Sequence, residues 1–213
     1  MRDVSPRQPK GNNIPTRRSS IERRSSLERR SAGTRLERKR FLILCEGETE
    51  EAYFVGMRTR GGPVLEVANP KVDHLRIIEE AKRRQLVDDY DDDDQIWCVL
   101  DTELDSRLAE AMLAKAGPKV QLALSTPCFD FWLLLHHKDH RAPFQTAGHV
   151  EKALKSAVRG WTRGSTRFGD FQDGIEVACR RAKAIDSDGN DHMRNPSSSV
   201  WKLVESIRAS AGE

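Results

Sequence analysis

The sequence is poor in cysteine and aromatic residues and has no long apolar run. Its four cysteines, Cys45, Cys98, Cys128 and Cys179, lie far apart, and none forms a C-x-x-C pair. That spacing excludes a disulfide framework and a cysteine zinc site. Cys45 and Cys98 sit inside apolar runs, where a thiol behaves as a small hydrophobe. A reducing, cytoplasmic compartment is the expectation. No apolar stretch approaches the roughly 18 residues that a membrane-crossing helix needs. The basic N-terminus is followed by no apolar segment, so it does not read as a secretory signal. With 32% charged residues in 213, the expected class is one hydrophilic domain with a substantial core.

What is present is uneven in charge. Residues 1–40 hold 13 Lys/Arg against 4 Asp/Glu, a balance of +9, and residues 41–213 hold 23 against 29, a balance of −6. The basic part carries a short repeat, "RRSSIE", "RRSSLE" and "RRSA". It is too poor in apolar residues to offset chain entropy, so residues 1–38 are expected to be a disordered arm. Such an arm suits sequence-independent contact with phosphates, or is simply a solvated tail.

From Phe41 the pattern alternates between two periods. "FLILC" (41–45) and "QIWCVL" (95–100) are continuous apolar runs, as in strands buried on both faces. "PVLEVA" and "KVQLAL" are shorter strands. Between them come helical stretches: "ETEEAYFVGMRTR" up to Gly61 and Gly62, the amphipathic "VDHLRIIEEAKRRQ", "SRLAEAMLAKAG" closed by Gly117, and "PCFDFWLLLHH" opened by Pro127. This alternation predicts βαβ crossovers and an α/β fold with a mainly parallel sheet covered on both faces. After His140 only helical patterns remain. The expected organisation is an α/β core over 39–142 and a helical extension over 143–213, packed on that core.

Ligands of parallel sheets bind at the carboxyl ends of the strands, and two strands here run into acid. "FLILC" leads to Glu46, and "QIWCVL" leads to Asp101, Thr102 and Glu103. If the strands are neighbours, Glu46, Asp101 and Glu103 meet at one rim, with Glu50 one helical turn beyond Glu46. Crowded carboxylates raise one another's pKa or share a divalent cation, and oxygen-only ligation selects Mg2+ or Mn2+. Such an ion polarises a phosphodiester and holds a water, with Glu46 as general acid or base. Taken alone, "EGETEE" is more often a charged first turn favoured by the helix dipole, and the second acidic strand end shifts the reading to a metal site.

The blocks "ILCEGETEEAYF", "WCVLDTELD", "LSTPCFDFWLLLHH" and "NPSSSVWKLVES" resemble, in order, those of RloB-like proteins of the Toprim nuclease superfamily, which are linked to bacterial defence against phage. The resemblance spans roughly residues 38–208. It implies a Toprim-like, Rossmann-related sheet, with Glu46 as the first-strand glutamate and Asp101 and Glu103 as the acidic pair. Glu50 takes the place of a further glutamate in related overcoming-lysogenisation-type nucleases. It also implies Mg2+ or Mn2+, cleavage of DNA or RNA (tRNA among them) in abortive infection, and an AAA-type ATPase as partner protein. This chain has "DTEL" where the family usually has "DRDE", "STPCFD" for "SNPCFE" and "LLHHK" for "LLHFE". Those departures favour a second reading, a Toprim-shaped binding subunit of weak catalytic power.

Other residues have weaker claims. Ser125 follows a strand and is expected to face the same crevice, as a phosphate contact or a plain helix cap. "HHKDH" offers His136, His137 and His140 without a further zinc ligand, while Lys138 and Arg141 nearby are candidates for substrate backbone. "WTRGSTRFGD" combines Trp161, Arg163, Arg167 and Phe168, a set suited to stacking on unpaired bases or to a mere flexible loop. "DDYDDDD" reads as a solvated loop, and the glycine of "DSDGND" falls too early for a calcium loop. A phosphoacceptor receiver domain is the remaining rival for the acids, but it needs a lysine after a fifth strand, and no strand is legible there.

Overall fold

The computed structural model describes residues 38–88 and 90–212; the expectation of a disordered arm falls almost entirely outside them. Apolar runs become strands because they bury both faces. Phe41, Ile43, Cys45, Trp97 and Val99 point into one core, and Leu42, Leu44, Ile96, Cys98 and Leu100 into another, as strand alternation requires. Strands β1 (Arg40–Cys45), β2 (Val64–Ala68), β3 (Gln95–Asp101), β4 (Val120–Thr126) and β5 (Ser197–Ser198) form one sheet in the order β2-β1-β3-β4-β5. The first four are parallel and β5 is antiparallel to β4.

Helices α1 (Glu48–Gly56), α2 (His74–Val87), α3 (Ser106–Ala116) and α4 (Asp130–His137) follow β1, β2, β3 and β4 in turn. The smaller core holds Ile77, Ile78 and Ala81 of α2 with Met112 and Ala116 of α3. The larger one holds Tyr53 and Phe54 of α1, Phe131 to Leu135 of α4, and the last three helices: α5 (Ala147–Ala157), α6 (Ile175–Ile185) and α7 (Val200–Ser210). The α/β expectation is therefore met, and residues beyond 143 share a core with β1 and β3. Among the described residues no helix is long and apolar enough to cross a membrane. All four cysteines are buried and unpaired.

Four local expectations change. Helix α1 stops at Gly56, before the Gly61–Gly62 pair, because Met57 caps it through the Phe54 and Val55 carbonyls. Gly56 itself lies where an added Cβ would come within 2.2 Å of Phe168. Pro127 does not open a helix: it follows a cis peptide bond from Thr126, and α4 starts at Asp130. The C-terminal third contains a strand, since Ser197 and Ser198 pair with Thr126 and Ser125. Two serines have no apolar period, so only the exposed edge of β4 defines them as a strand. Finally, "DDYDDDD" is not wholly solvated. The side chain of Asp94 is buried, accepting from the Arg40 backbone N–H at 2.8 Å and from its Nε at 2.9 Å.

Candidate metal centre at the carboxyl edge of the sheet

Parallel pairing of β1 with β3 sets Cys45 opposite Val99, so Glu46 and Asp101 leave the sheet at nearly the same height. The ladder runs one step further, with the Glu46 N–H donating to the Val99 carbonyl at 3.3 Å. Glu46 is then held by its side chain: Oε2 accepts from the Asp101 backbone N–H at 3.1 Å. The turn after β3 aims Glu103 at the same place. Glu103 and Leu104 adopt φ values of 52° and 62°, a left-handed conformation that non-glycine residues rarely take and that clusters at functional sites. The turn is tied down by the Thr102 and Glu103 N–H groups, which donate to the carbonyls of Ser125 and Pro127.

The residue that completes this trio is His74. One ligand atom each from Glu46, His74 and Glu103 lies within 4.8 Å of the other two. His74 is the first residue of α2, whose N-cap Asp73 accepts from the Arg76 N–H at 3.0 Å. Its Nε2 is 3.0 Å from Glu46 Oε2. The two are close enough for an ion pair but not aligned for a hydrogen bond, so this solvent-shielded nitrogen lacks a hydrogen-bond partner. The Glu46 carboxylate holds the imidazole pKa above its ordinary value, against the effect of burial.

Behind the trio is a second group of acids. Glu50 is buried in the first turn of α1, and its carboxylate folds back so closely that a Cβ on Gly47 would meet Glu50 Oε2 at 2.5 Å. Burial, with the neighbouring Glu46 and Asp130, pushes Glu50 from 4.5 up to about 7. The enclosed Asp101 carboxyl is raised well above the usual range by burial, Glu50 and Glu46, although its Oδ1 accepts from the Phe129 N–H at 2.8 Å. Asp130, at the start of α4, is also raised by burial, with Arg163 acting against it. Nε and Nη2 of Arg163 both donate to Asp130 Oδ2, at 3.1 and 3.0 Å. Thr49 Oγ1 donates to the Arg163 carbonyl at 3.2 Å and fixes this loop against α1.

The expected trio is thus redrawn. Glu46 and Glu103 come together as expected, but His74 replaces Asp101 in the tight set, because the Asp101 carboxylate is turned to cap Phe129. Asp101 and Glu50 stand behind. Ser125 is corrected: it is 1% exposed, and its hydroxyl is shared with that of Ser198 at 3.0 Å, turned into β5 instead of the crevice. Lys138 and Arg141 lie apart from the acids. They follow the last residue of α4, which begins at this rim and runs about 12 Å away from it, and Arg141 pairs with Asp139. Arg163 reaches the site; Arg167 is exposed on the same loop, and no described contact joins its side chain to the acids.

The aromatic rings of that loop turn inward. Trp161 is buried, with Nε1 donating to Thr166 Oγ1 at 3.1 Å, and Phe168 packs edge-on against Tyr53 at 5.3 Å. Neither offers a face to a base. His136 is a core residue, bonded to the Tyr53 hydroxyl at 3.0 Å and pushed down to about 4 by burial. His140 stacks on Phe144, so the histidine run makes no zinc pair.

His74 and Asp130 were the residues that sequence reasoning missed. The signal for His74 was topological: every β-to-α turn of a parallel sheet arrives at one rim, and His74 opens the helix after the strand beside β1. Asp130 stood in the "PCFD" block but carried no separate mark.

Residues 41–207 match the family described as RloB-like protein. The chain belongs to this family. No curated protein and no solved structure matches it. The RloB-like region contains the whole sheet except its first residue, Arg40, together with Glu46, Glu50, His74, Asp101, Glu103, Asp130 and Arg163.

Proposed function

We propose that this RloB-like chain is a divalent-metal-dependent nuclease that hydrolyses phosphodiester bonds of DNA or RNA, tRNA among the candidates, in anti-phage defence beside an AAA-type ATPase partner. The observation that carries the reading is the convergence of Glu46, His74 and Glu103 within 4.8 Å, backed by acids whose protonation burial favours. The donor chemistry fits a cation. It combines two carboxylates with a solvent-shielded imidazole nitrogen that has no hydrogen-bond partner, and Glu50 and Asp101 lie behind them. The ligands would be Glu46, His74 and Glu103, with Glu50 and Asp101 next to them. A divalent ion bound there supplies Lewis acidity and a more acidic water.

The protein's own groups have separable tasks. The Asp101 N–H holds Glu46 Oε2 in place. Glu50, raised by burial to about 7 in the metal-free chain, is the group placed to accept or return a proton near neutral pH. Arg163 presents a half-exposed guanidinium beside Asp130, positioned to meet a phosphate oxygen. The resemblance to Toprim nucleases supports the reaction class, and the defence role and ATPase partner rest on that resemblance alone.

A binding subunit without catalysis is the second reading, favoured by the Asp101 carboxylate being engaged at the Phe129 N–H. The deciding experiment incubates the full chain with labelled DNA, RNA and tRNA, with Mg2+ or Mn2+, alone and with its ATPase partner. Cleavage by wild type that Glu46→Gln abolishes supports the nuclease. Binding without cleavage under every condition supports the subunit.

A further inference from the structure

We infer that His74 is a metal ligand and makes the rim a nitrogen–oxygen site, which takes a transition ion such as Mn2+ in preference to Mg2+. The inference rests on the reading that this rim binds a divalent cation, and it names which class of cation. Its starting point is the imidazole. Nε2 of His74 is shielded from water and lacks an aligned hydrogen bond, yet lies 3.0 Å from Glu46 Oε2 and in the same cluster as Glu103. A shielded ring nitrogen this close to a carboxylate, yet without an aligned hydrogen bond, calls for an explanation. A cation between these groups provides one, because it binds the ring nitrogen and both carboxylates together.

The spacing agrees. His74 Nε2 and Glu46 Oε2 stand 3.0 Å apart, and adjacent donors on one octahedral ion, each bonded at about 2.1 Å, also stand roughly 3 Å apart. The donor type then discriminates. Mg2+ keeps an all-oxygen, largely hydrated octahedron, whereas imidazole favours first-row transition ions and adds little for Mg2+. The position of His74 is also fixed before any ion arrives, since the Asp73 cap sets the first turn of α2. The competing role for His74 is a plain ion-pair partner that neutralises Glu46, with no preference between cations.

The test titrates the full-length chain with MnCl2 alone and reads pulsed electron paramagnetic resonance, with no substrate present. Wild type is expected to show 14N coupling from one imidazole, which changes to the 15N pattern when histidine is 15N-labelled, a change that leaves the fold untouched. His74→Gln is expected to lose the coupling and to bind Mn2+ at least about tenfold more weakly, with a smaller change for Mg2+ measured by competition. Bound Mn2+ without nitrogen coupling, or coupling that persists in His74→Gln, overturns the inference and leaves the nuclease reading standing if cleavage continues. Failure of wild type to bind either ion overturns both.

Discussion

Both ends of the sheet gather acid, yet only one end is left with acid to spare. At the amino end, Asp94 meets the Arg40 backbone and guanidinium, Arg40 stacks on Tyr90 at 4.5 Å, and the Tyr90 hydroxyl donates to Glu66 at 2.7 Å. A cleft opens there too, lined by Asp91 to Asp94 but also by Lys39 and Lys119. At the carboxyl end, Glu46, Glu50, Asp101, Glu103 and Asp130 gather around the His74 imidazole and the Arg163 guanidinium. The amino end pairs its buried Asp94 carboxylate with donors and leaves Asp91 to Asp93 exposed to water. The carboxyl end holds carboxyls whose pKa values burial raises, with neighbouring acids adding to the rise at Glu50 and Asp101. Neither the number of acids nor the size of a cleft marks a site; the mismatch between buried acids and available donors does.

The strongest way to break this comparison is to remove one acid from each end. Glu46→Gln and Asp101→Asn are expected to lower metal-dependent cleavage by about 100-fold or more, while Asp94→Asn leaves it within about twofold. Initial rates on one labelled substrate check this. Equal losses at both ends would mean that the amino end belongs to the reaction.

The ends should also differ in pH response. Glu50 has an ordinary value of 4.5 and stands at about 7 in the fold. Between these values the folded chain keeps a proton that the unfolded chain has released. The stability this provides is complete below pH 4.5 and is lost as pH rises through about 7. For the metal-free chain the loss is about 3 kcal/mol from this group, and Asp101, also raised, acts in the same direction. Glu50→Gln is expected to match wild type near pH 4.5 and to exceed it at pH 8, as read from urea midpoints. Adding Mn2+ at pH 8 should recover much of the difference, because an ion that binds only the folded state stabilises it. A flat profile for wild type would remove the claim that this end carries surplus acid.

Removing the matched acid gives a smaller effect of a different kind. Asp94→Ala leaves the partly buried Arg40 guanidinium and backbone N–H without that acceptor, at a cost of about 2 kcal/mol. Arg163→Ala at the other end exposes the surplus further. Because Arg163 is half exposed, water screens the change, and the cost is about 1 kcal/mol, measured by the same midpoints.

How far the sequence foretold this contrast depends on what each feature rests on. The four parallel strands were legible because "FLILC" and "QIWCVL" can only be buried on both faces, and Glu46 and Asp101 followed from where those strands end. Glu103 converged as expected, although the left-handed turn that aims it left no mark in the letters "DTEL". His74 was hidden in an amphipathic helix pattern, because a histidine at a helix start is common and only strand order brings it beside Glu46. Strand order also hid β5, which exists through pairing with Thr126 and Ser125 and not through any property of "SSS". The reversal of Ser125 has the same cause: the partner that claims its hydroxyl, Ser198, lies 73 residues away. Asp94 was lost in a run of acids that looked uniformly solvated, although its carboxylate reaches back to Arg40.

The smallest expected effect concerns cations instead of acids, and it tests whether the working end is as local as the buried acids suggest. Lys138 and Arg141 sit past the far end of α4, exposed, with Arg141 already beside Asp139. A phosphate held near Asp130 is roughly 12 Å away, about one to one and a half Debye lengths at physiological salt. The double variant Lys138→Ala/Arg141→Ala should therefore change stability by less than about 0.5 kcal/mol and cleavage of a short oligonucleotide by less than about twofold. A long substrate is the sharper probe. If its KM rises more than about tenfold in the variant while the short one is unaffected, the backbone track extends along α4, and these two residues regain the substrate role that their place in the fold argues against.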